Sequence, residues 1–174
     1  MTEQENLFLE IPGTPVGKGR PRFTKQGRTY TPKKTAQYEN LMRLAFAEKY
    51  PEWLPTEDPV QVYIRAEYSL PASWTKRRKL LALLTSGWKI TKPDLDNIMK
   101  TLDGLNGVAW KDDSQIVHLS AMKYYGPRPR LSVHIVIDHE ARKLEQLSTA
   151  ELEARWKERC LAEHEEETEE EDNG

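Results

Sequence analysis

From residue 60 to residue 68 the chain alternates, with Val60, Val62, Ile64 and Ala66 set against Gln61, Tyr63, Arg65 and Glu67. Successive side chains of a strand point to opposite faces, so this run is a β-strand with one buried face, and it commits the chain to a sheet. Residues 7–11 read as a second short strand, ended by Pro12 and Gly13. Residues 116–124 and 131–137 read as two more, expected to pair as a hairpin at Gly126-Pro127. Helices fall between them. Thr35 fits an N-cap for a helix in which Tyr38, Leu41, Met42, Ala45 and Phe46 share a face, closed by Pro51 and Pro55. Ser73 fits the cap of a second helix over residues 74–86, stopped by Gly87. Pro93 restricts Lys92 to extended geometry, so the chain reaches Asp94 from a non-helical segment. A third helix is expected from about Asn97 to Leu105, ending at Asn106-Gly107.

At 174 residues the chain is long enough for one real core. No run approaches the roughly 20 apolar residues of a spanning helix, so no membrane partner is expected. The first residues are acidic and polar, without the pattern of a secretory signal. Cys160 is the single cysteine, and with no disulfide to make, a reducing cytoplasm is the simplest compartment. The net charge of −2 conceals a division. Residues 163–172 hold eight acidic side chains and no Lys or Arg, and without those eight the remainder is +6. Residues 17–34 hold seven Lys or Arg and no acidic residue: Lys18, Arg20, Arg22, Lys25, Arg28, Lys33 and Lys34. Such a segment attracts a polyanion by Coulomb attraction and counterion release, although taken alone it is equally a solvated loop. Loops of about 20 residues without apolar periodicity are uncommon in compact domains unless they are functional or disordered.

The chemistry concentrates in Asp94-Leu-Asp-Asn-Ile-Met-Lys100 and in Asp112-Asp113. Asp94 and Asp96, two apart in an extended approach to a helix, are expected to point the same way, with Asp96 at the N-cap position. Their oxygens suit Mg²⁺ or Mn²⁺, which bind through a few carboxylates together with water and substrate phosphates. Lys100, four residues after Asp96, falls over the same end of the site. Of Asp112 and Asp113, one is expected to join the aspartates and the other to face away. Phosphodiester hydrolysis needs an activated water and stabilisation of a pentacovalent anion, and a carboxylate-held cation beside a lysine supplies both. Each aspartate singly is as readily a cap or a turn former; the set, with a lysine and a basic body, points to a nuclease. An EF-hand is excluded, because Ile98 and Met99 occupy the positions that need an oxygen ligand and a glycine. Lys76, Arg77, Arg78 and Lys79 are read as a solvated helix face, Trp110 as packing beside the site, and His118, His134 and His139 as ordinary strand residues. Phe23 and Tyr30 are candidates for stacking on bases.

The runs Lys92-Pro-Asp-Leu-Asp-Asn-Ile-Met-Lys100, Leu102-Asp-Gly-Leu-Asn-Gly-Val108 and Trp110-Lys-Asp-Asp-Ser-Gln-Ile116 closely resemble the RusA-type Holliday junction resolvases, many of them carried by phages or prophages. Gly17-Lys-Gly-Arg-Pro-Arg-Phe23 resembles the form of that family with a basic arm. The resemblance implies an α/β (α+β) domain with a small mixed β-sheet and flanking helices. It further implies a Mg²⁺-dependent homodimer that makes paired nicks in a four-way DNA junction during recombination and repair. By position it puts the metal-binding aspartates at Asp94, Asp96 and Asp113 and the essential lysine at Lys100. The basic residues of the arm become DNA contacts. One departure concerns Asp103, which follows Lys100 by three residues where the family pattern has four. The expected organisation is an endonuclease domain over residues 1–140 with the arm at 12–34, a C-terminal helix at 141–162 capped by Ser148, and a disordered acidic tail at 163–174. Two rival functions remain at this level: a catalytically silent binder of branched DNA, and a nuclease for flaps or forks.

Overall fold

The computed structural model describes residues 4–20, 22–23 and 29–172, and the chain divides into two compact units, Gln4–Asp138 and the segment from His139 onward. Along the first unit run β1 (Gln4–Pro12), the two-residue strands β2 (Arg22–Phe23) and β3 (Thr29–Tyr30), α1 (Lys33–Lys49), β4 (Val60–Ser69), α2 (Lys76–Leu84), α3 (Leu95–Met99), β5 (Ile116–Gly126) and β6 (Arg130–Asp138). Four strands form one sheet in the order β1-β6-β4-β5, while among the described residues β2 and β3 pair with each other. Because β4 runs antiparallel to β6 and parallel to β5, the sheet is mixed. An α+β domain with flanking helices is the architecture expected.

One face of the sheet carries the core. Val60, Val62, Ile64 and Ala66 are buried as their alternation requires, and the pairing register sets Leu7 and Val62 beside Ile135 and Leu9 and Ile64 beside Val133. Against this face α1 packs Tyr38, Met42 and Phe46, each four residues from the next. Burial pushes the Tyr38 hydroxyl up to about 12. Leu41 is 45% exposed and Ala45 is only half-buried, since an apolar helix stripe is about 100° wide and Leu41 lies beyond its edge. Thr35 does not cap α1. The helix starts two residues earlier, behind Pro32, and Thr35 is buried in its first turn, accepting a hydrogen bond from the Gly19 N–H at 2.9 Å. For α2 the cap is Thr75, which accepts from the Arg78 N–H, whereas Ser73 sits in the preceding turn.

The expected hairpin at Gly126-Pro127 does not form. β4 lies between β5 and β6, so residues 127–129 cross over its end. Two strand spacings are about 10 Å, which four Cα steps cover easily, so a short connection need not mean paired strands. Glu67 pins the crossing. Its buried carboxylate accepts from the Arg128 N–H at 2.7 Å and lies 3.4 Å from Arg130 Nε, while Arg130 also reaches Glu10 at 3.2 Å. A Cβ on Gly126 would fall 2.3 Å from Glu67 Oε1, so only glycine admits that carboxylate. Glu67→Ala is therefore expected to cost about 2 kcal/mol, since it leaves the Arg128 N–H without its acceptor and Arg130 with Glu10 as its remaining carboxylate partner. A lower midpoint of urea unfolding at unchanged slope would show it.

The second unit contains α4 (Glu140–Leu144) and α5 (Thr149–Asp172). Ser148 caps α5 reciprocally: Ser148 N–H and Oγ–H donate to Glu151 Oε2, and the Glu151 N–H donates back to Ser148 Oγ. The break between the two helices interrupts the single helix expected over residues 141–162. The acidic run, expected to be disordered, is helical as far as Asp172; glutamate is a good helix former, and composition alone underrates that propensity. Among the described residues no helix is long and apolar enough to cross a membrane.

Candidate active site

Three residues near Pro93 are competent N-caps: Asp94, Asp96 and Asn97. The first of them takes the role. Asp94 is extended at φ −70° and ψ 151°, and α3 begins at Leu95. The earlier start adds the turn that buries Ile98, and the helix then tightens into a 3₁₀ turn over Lys100–Gly104 that buries Thr101 and Leu102. Asp96 is consequently inside the helix and not at its cap, and the extended pairing of Asp94 with Asp96 does not occur. The outer face carries Asp96, Lys100 and Asp103, four and three residues apart, and Lys100 Nζ lies 2.9 Å from Asp96 Oδ2. That contact holds the Asp96 carboxyl below its usual range.

Asp112 and Asp113 precede the strand and lie in a 3₁₀ turn, so strand alternation does not separate them; the turn gives them different roles. Asp112 caps the 3₁₀ turn Asp113–Gln115, accepting from the Ser114 N–H at 2.9 Å while Gln115 Oε1 accepts from the Asp112 N–H. The hydrogen bonds from Ser114 lower the Asp112 pKa. Gln115 Nε2 donates to the Thr56 and Asp58 carbonyls at 2.9 and 3.0 Å, fixing the turn to the rest of the domain. At the start of β5 the register slips by one residue, so that Ile116 pairs with Val60 and His118 with Gln61. With Val117 as the extra residue, Ile116 and Leu119 face the same side of the sheet despite their odd spacing.

These elements enclose a cleft of about 390 Å³ whose polar wall is Asp96, Lys100, Asp103 and Asp113. Its apolar wall includes Leu102, Trp110, Ile116 and Leu119. Trp110 is buried beside the site, as its sequence context suggests. Asp94 does not line the cleft, and its carboxylate makes no cap hydrogen bond. Asp103 is the residue that sequence reasoning undervalued. Its signal is the seven-residue interval from Asp96, two helical turns that return it to the same face.

The basic arm is less uniform than its composition. Arg20, Lys33 and Lys34 are exposed. Lys25 and Arg28 lie outside the described residues, and for Arg22 and Phe23 only the backbone strand is described. Tyr30 is 46% exposed. Lys18 turns inward: its ammonium is hydrogen-bonded to Asp103 Oδ2 and lies 3.2 Å from Glu39 Oε1. Burial works against its charge, yet the hydrogen bonds to Asp103 and Glu39 prevail and hold its pKa above the usual lysine value. On α2, Arg78 stacks over Trp74 at 4.1 Å and Lys79 donates to the Ala72 carbonyl. His134 stacks on Phe8, with ring centroids 4.3 Å apart, and His118 lies against Tyr63.

Among the described residues no three side chains of the His, Cys, Asp and Glu types are gathered tightly enough to hold a metal alone. The donor chemistry still fits a hard divalent cation. Asp96 and Asp113 border one cleft with carboxylate oxygens, and Mg²⁺ is commonly held by one or two carboxylates with water and substrate phosphate completing its shell.

A mixed-sheet α+β domain with carboxylates and a lysine on one cleft has the equipment for hydrolysing a polyanion. The chain belongs to the RusA family of endodeoxyribonucleases, matching the description "Endodeoxyribonuclease RusA" over residues 12–136. It is also similar to Bacillus subtilis (strain 168) YqaN, an uncharacterized protein, at 33% identity over 135 residues, which cover 74% of this chain and 94% of that protein. The family resolves Holliday junctions, so endonuclease activity on branched DNA is the chain's class of function.

Proposed function

We propose that this chain resolves four-way DNA junctions by paired, divalent-cation-dependent nicks, acting as a homodimer in recombination and repair. The observation that carries the reading is the shared cleft of Asp96, Lys100 and Asp113, set over the apolar side chains of Leu102 and Trp110. Asp96 and Asp113 would hold Mg²⁺ or Mn²⁺, and Asp94, at the helix start and outside the cleft lining, would join them only by turning its carboxylate toward the cleft. When bound, such a cation supplies water activation and neutralises phosphate charge. Lys100 exchanges its contact with Asp96 for a non-bridging oxygen of the scissile phosphate, where negative charge accumulates. Asp112 keeps its capping role and holds the Asp113 turn in shape. Arg20, Lys33 and Lys34 contact the DNA backbone, the two lysines from the N-terminal turn of α1, where the helix dipole also favours phosphate. Paired nicks require two sites, and a second copy of the chain also accounts for the exposed leucines of α2, Leu80, Leu81, Leu83 and Leu84.

The test is purified full-length protein with Mg²⁺ or Mn²⁺ on a mobile synthetic four-way junction. Symmetric nicks in opposed strands are expected, lost on addition of chelator. Junction binding without cleavage in either metal would sink the reading. It would favour instead a silent binder, whose Asp96–Lys100 and Asp103–Lys18 pairs would be permanent.

A further inference from the structure

Lys18 stands apart from the other basic residues of the arm, because its charge is directed into the domain. The tripeptide around it is wedged between two elements. On one side the Lys18 N–H donates to the Asn97 carbonyl at 2.6 Å, and a Cβ on Gly17 would fall 2.6 Å from Pro93 Cβ. On the other the Gly19 N–H donates to buried Thr35, and a Cβ on Gly19 would lie 3.0 Å from Pro32 Cγ. Close approach to the segment bearing Asp94 and Asp96 thus requires glycine at 17, and the packing of Gly19 against the start of α1 is tight. The Lys18 side chain, 24% exposed, then reaches two carboxylates from different elements, Asp103 on the cleft wall and Glu39 on α1. Gly104 lets those elements meet, since a Cβ there would sit 2.6 Å from the Glu39 carbonyl oxygen.

We propose that Lys18 is a positioning residue of the nuclease site, neutralising Asp103 against Glu39 and holding the Asp103 carboxylate at its place on the cleft wall. The inference rests on the reading of the cleft given above. Two carboxylates share one ammonium, so removing it leaves Asp103 and Glu39 to repel, and adds a full uncompensated negative charge to the wall that carries Asp96 and Asp113. The cleft then attracts a cation more strongly but holds its carboxylates less well. Charge and geometry move in opposite directions, and that opposition is the signature of the role.

The decisive variant is Lys18→Met, which keeps the length of the side chain and removes the ammonium. Mn²⁺ binding by the DNA-free protein, followed by calorimetric titration, should tighten by about threefold or more. Junction turnover should fall by about tenfold or more, as for residues that orient metal ligands, with KM little changed. Lys18→Arg should restore both, and adding Asp103→Asn to Lys18→Met should return Mn²⁺ affinity towards wild type. A plain phosphate contact would instead raise KM, flatten the salt dependence of binding and leave Mn²⁺ affinity unchanged, which overturns the proposal. Should Lys18→Met not fold, Asp103→Asn alone carries the test: weaker Mn²⁺ binding and slower turnover support the role, and no change in either removes it. Wild-type protein that neither binds Mn²⁺ nor cuts would overturn the cleft reading and this proposal together. Wild-type protein that does both, matched by Lys18→Met, overturns this proposal alone.

Discussion

Asp113→Asn is expected to lower junction cleavage by about 10³-fold or more while leaving junction affinity within about twofold, because the several kcal/mol a metal supplies to the transition state depend on the carboxylate and backbone docking does not. The substitution is clean for a structural reason. Asp113 opens a turn whose shape is set by its neighbours: Asp112 caps it, and Gln115 ties it to the Thr56 and Asp58 carbonyls. Asparagine at 113 therefore changes a ligand and not a scaffold. Asp112→Asn is the matched control, since an amide oxygen still accepts from the Ser114 N–H, and the adjacent position should keep most of its activity. Gel assays of nicking and of binding on the same junction distinguish the two. Equal loss in both variants would deny Asp113 its special place, and loss of binding by Asp113→Asn would mean the carboxylate acts in docking.

Trp110→Ala should produce the largest loss of stability of any single truncation considered, about 3–5 kcal/mol. Trp110 is the largest fully buried side chain among the described residues and lines the apolar wall of the cleft. Its backbone is held independently, with the Gly107 N–H donating to its carbonyl and Lys111 and Ala109 bonded to Thr56, so the chain cannot readily collapse into the vacated volume. The indole N–H has no hydrogen-bond partner among the described residues. Trp110→Phe, which sacrifices volume but no hydrogen bond, should accordingly cost well under half as much. Chemical denaturation of both variants checks the ratio; equal losses would mean that the indole N–H, and not the volume of the side chain, carries the stability.

The sequence made the periodic features legible and the non-local ones not. The inner face of β4 followed from alternation, and Tyr38, Met42 and Phe46 from helical spacing, because both signals lie within one element. The hairpin failed because adjacency along the chain says nothing of a third strand, β4, arriving between β5 and β6. Three neighbouring cap residues left the start of α3 degenerate, and burial of Ile98 decided in favour of Asp94. At the site, residue types and spacing suggested carboxylates beside a lysine, and the cleft brings together Asp96, Lys100 and Asp113 but not Asp94. Lys18 was illegible for a simpler reason. A charge is visible in a sequence, but the partner that consumes it, Asp103, lies 85 residues away.

The strand order has a consequence for how the chain is made. β1 bonds to β6 alone, with Gln4 opposite Asp138 and Pro12 opposite Arg130. During synthesis, at about 5–20 residues per second, Leu7, Leu9 and Ile11 wait roughly 6–25 s before their partner strand exists. β4 and β5 can meet sooner, but β1, translated well ahead of its partner, is among the last to settle. A ribosome that stops before β6 thus releases a chain with two sticky edges, β1 and β4, whereas one that stops after Asp138 releases a complete sheet. The stretch that encodes β6, more than the one that encodes β1, decides whether the sheet is completed or left with open edges that invite aggregation.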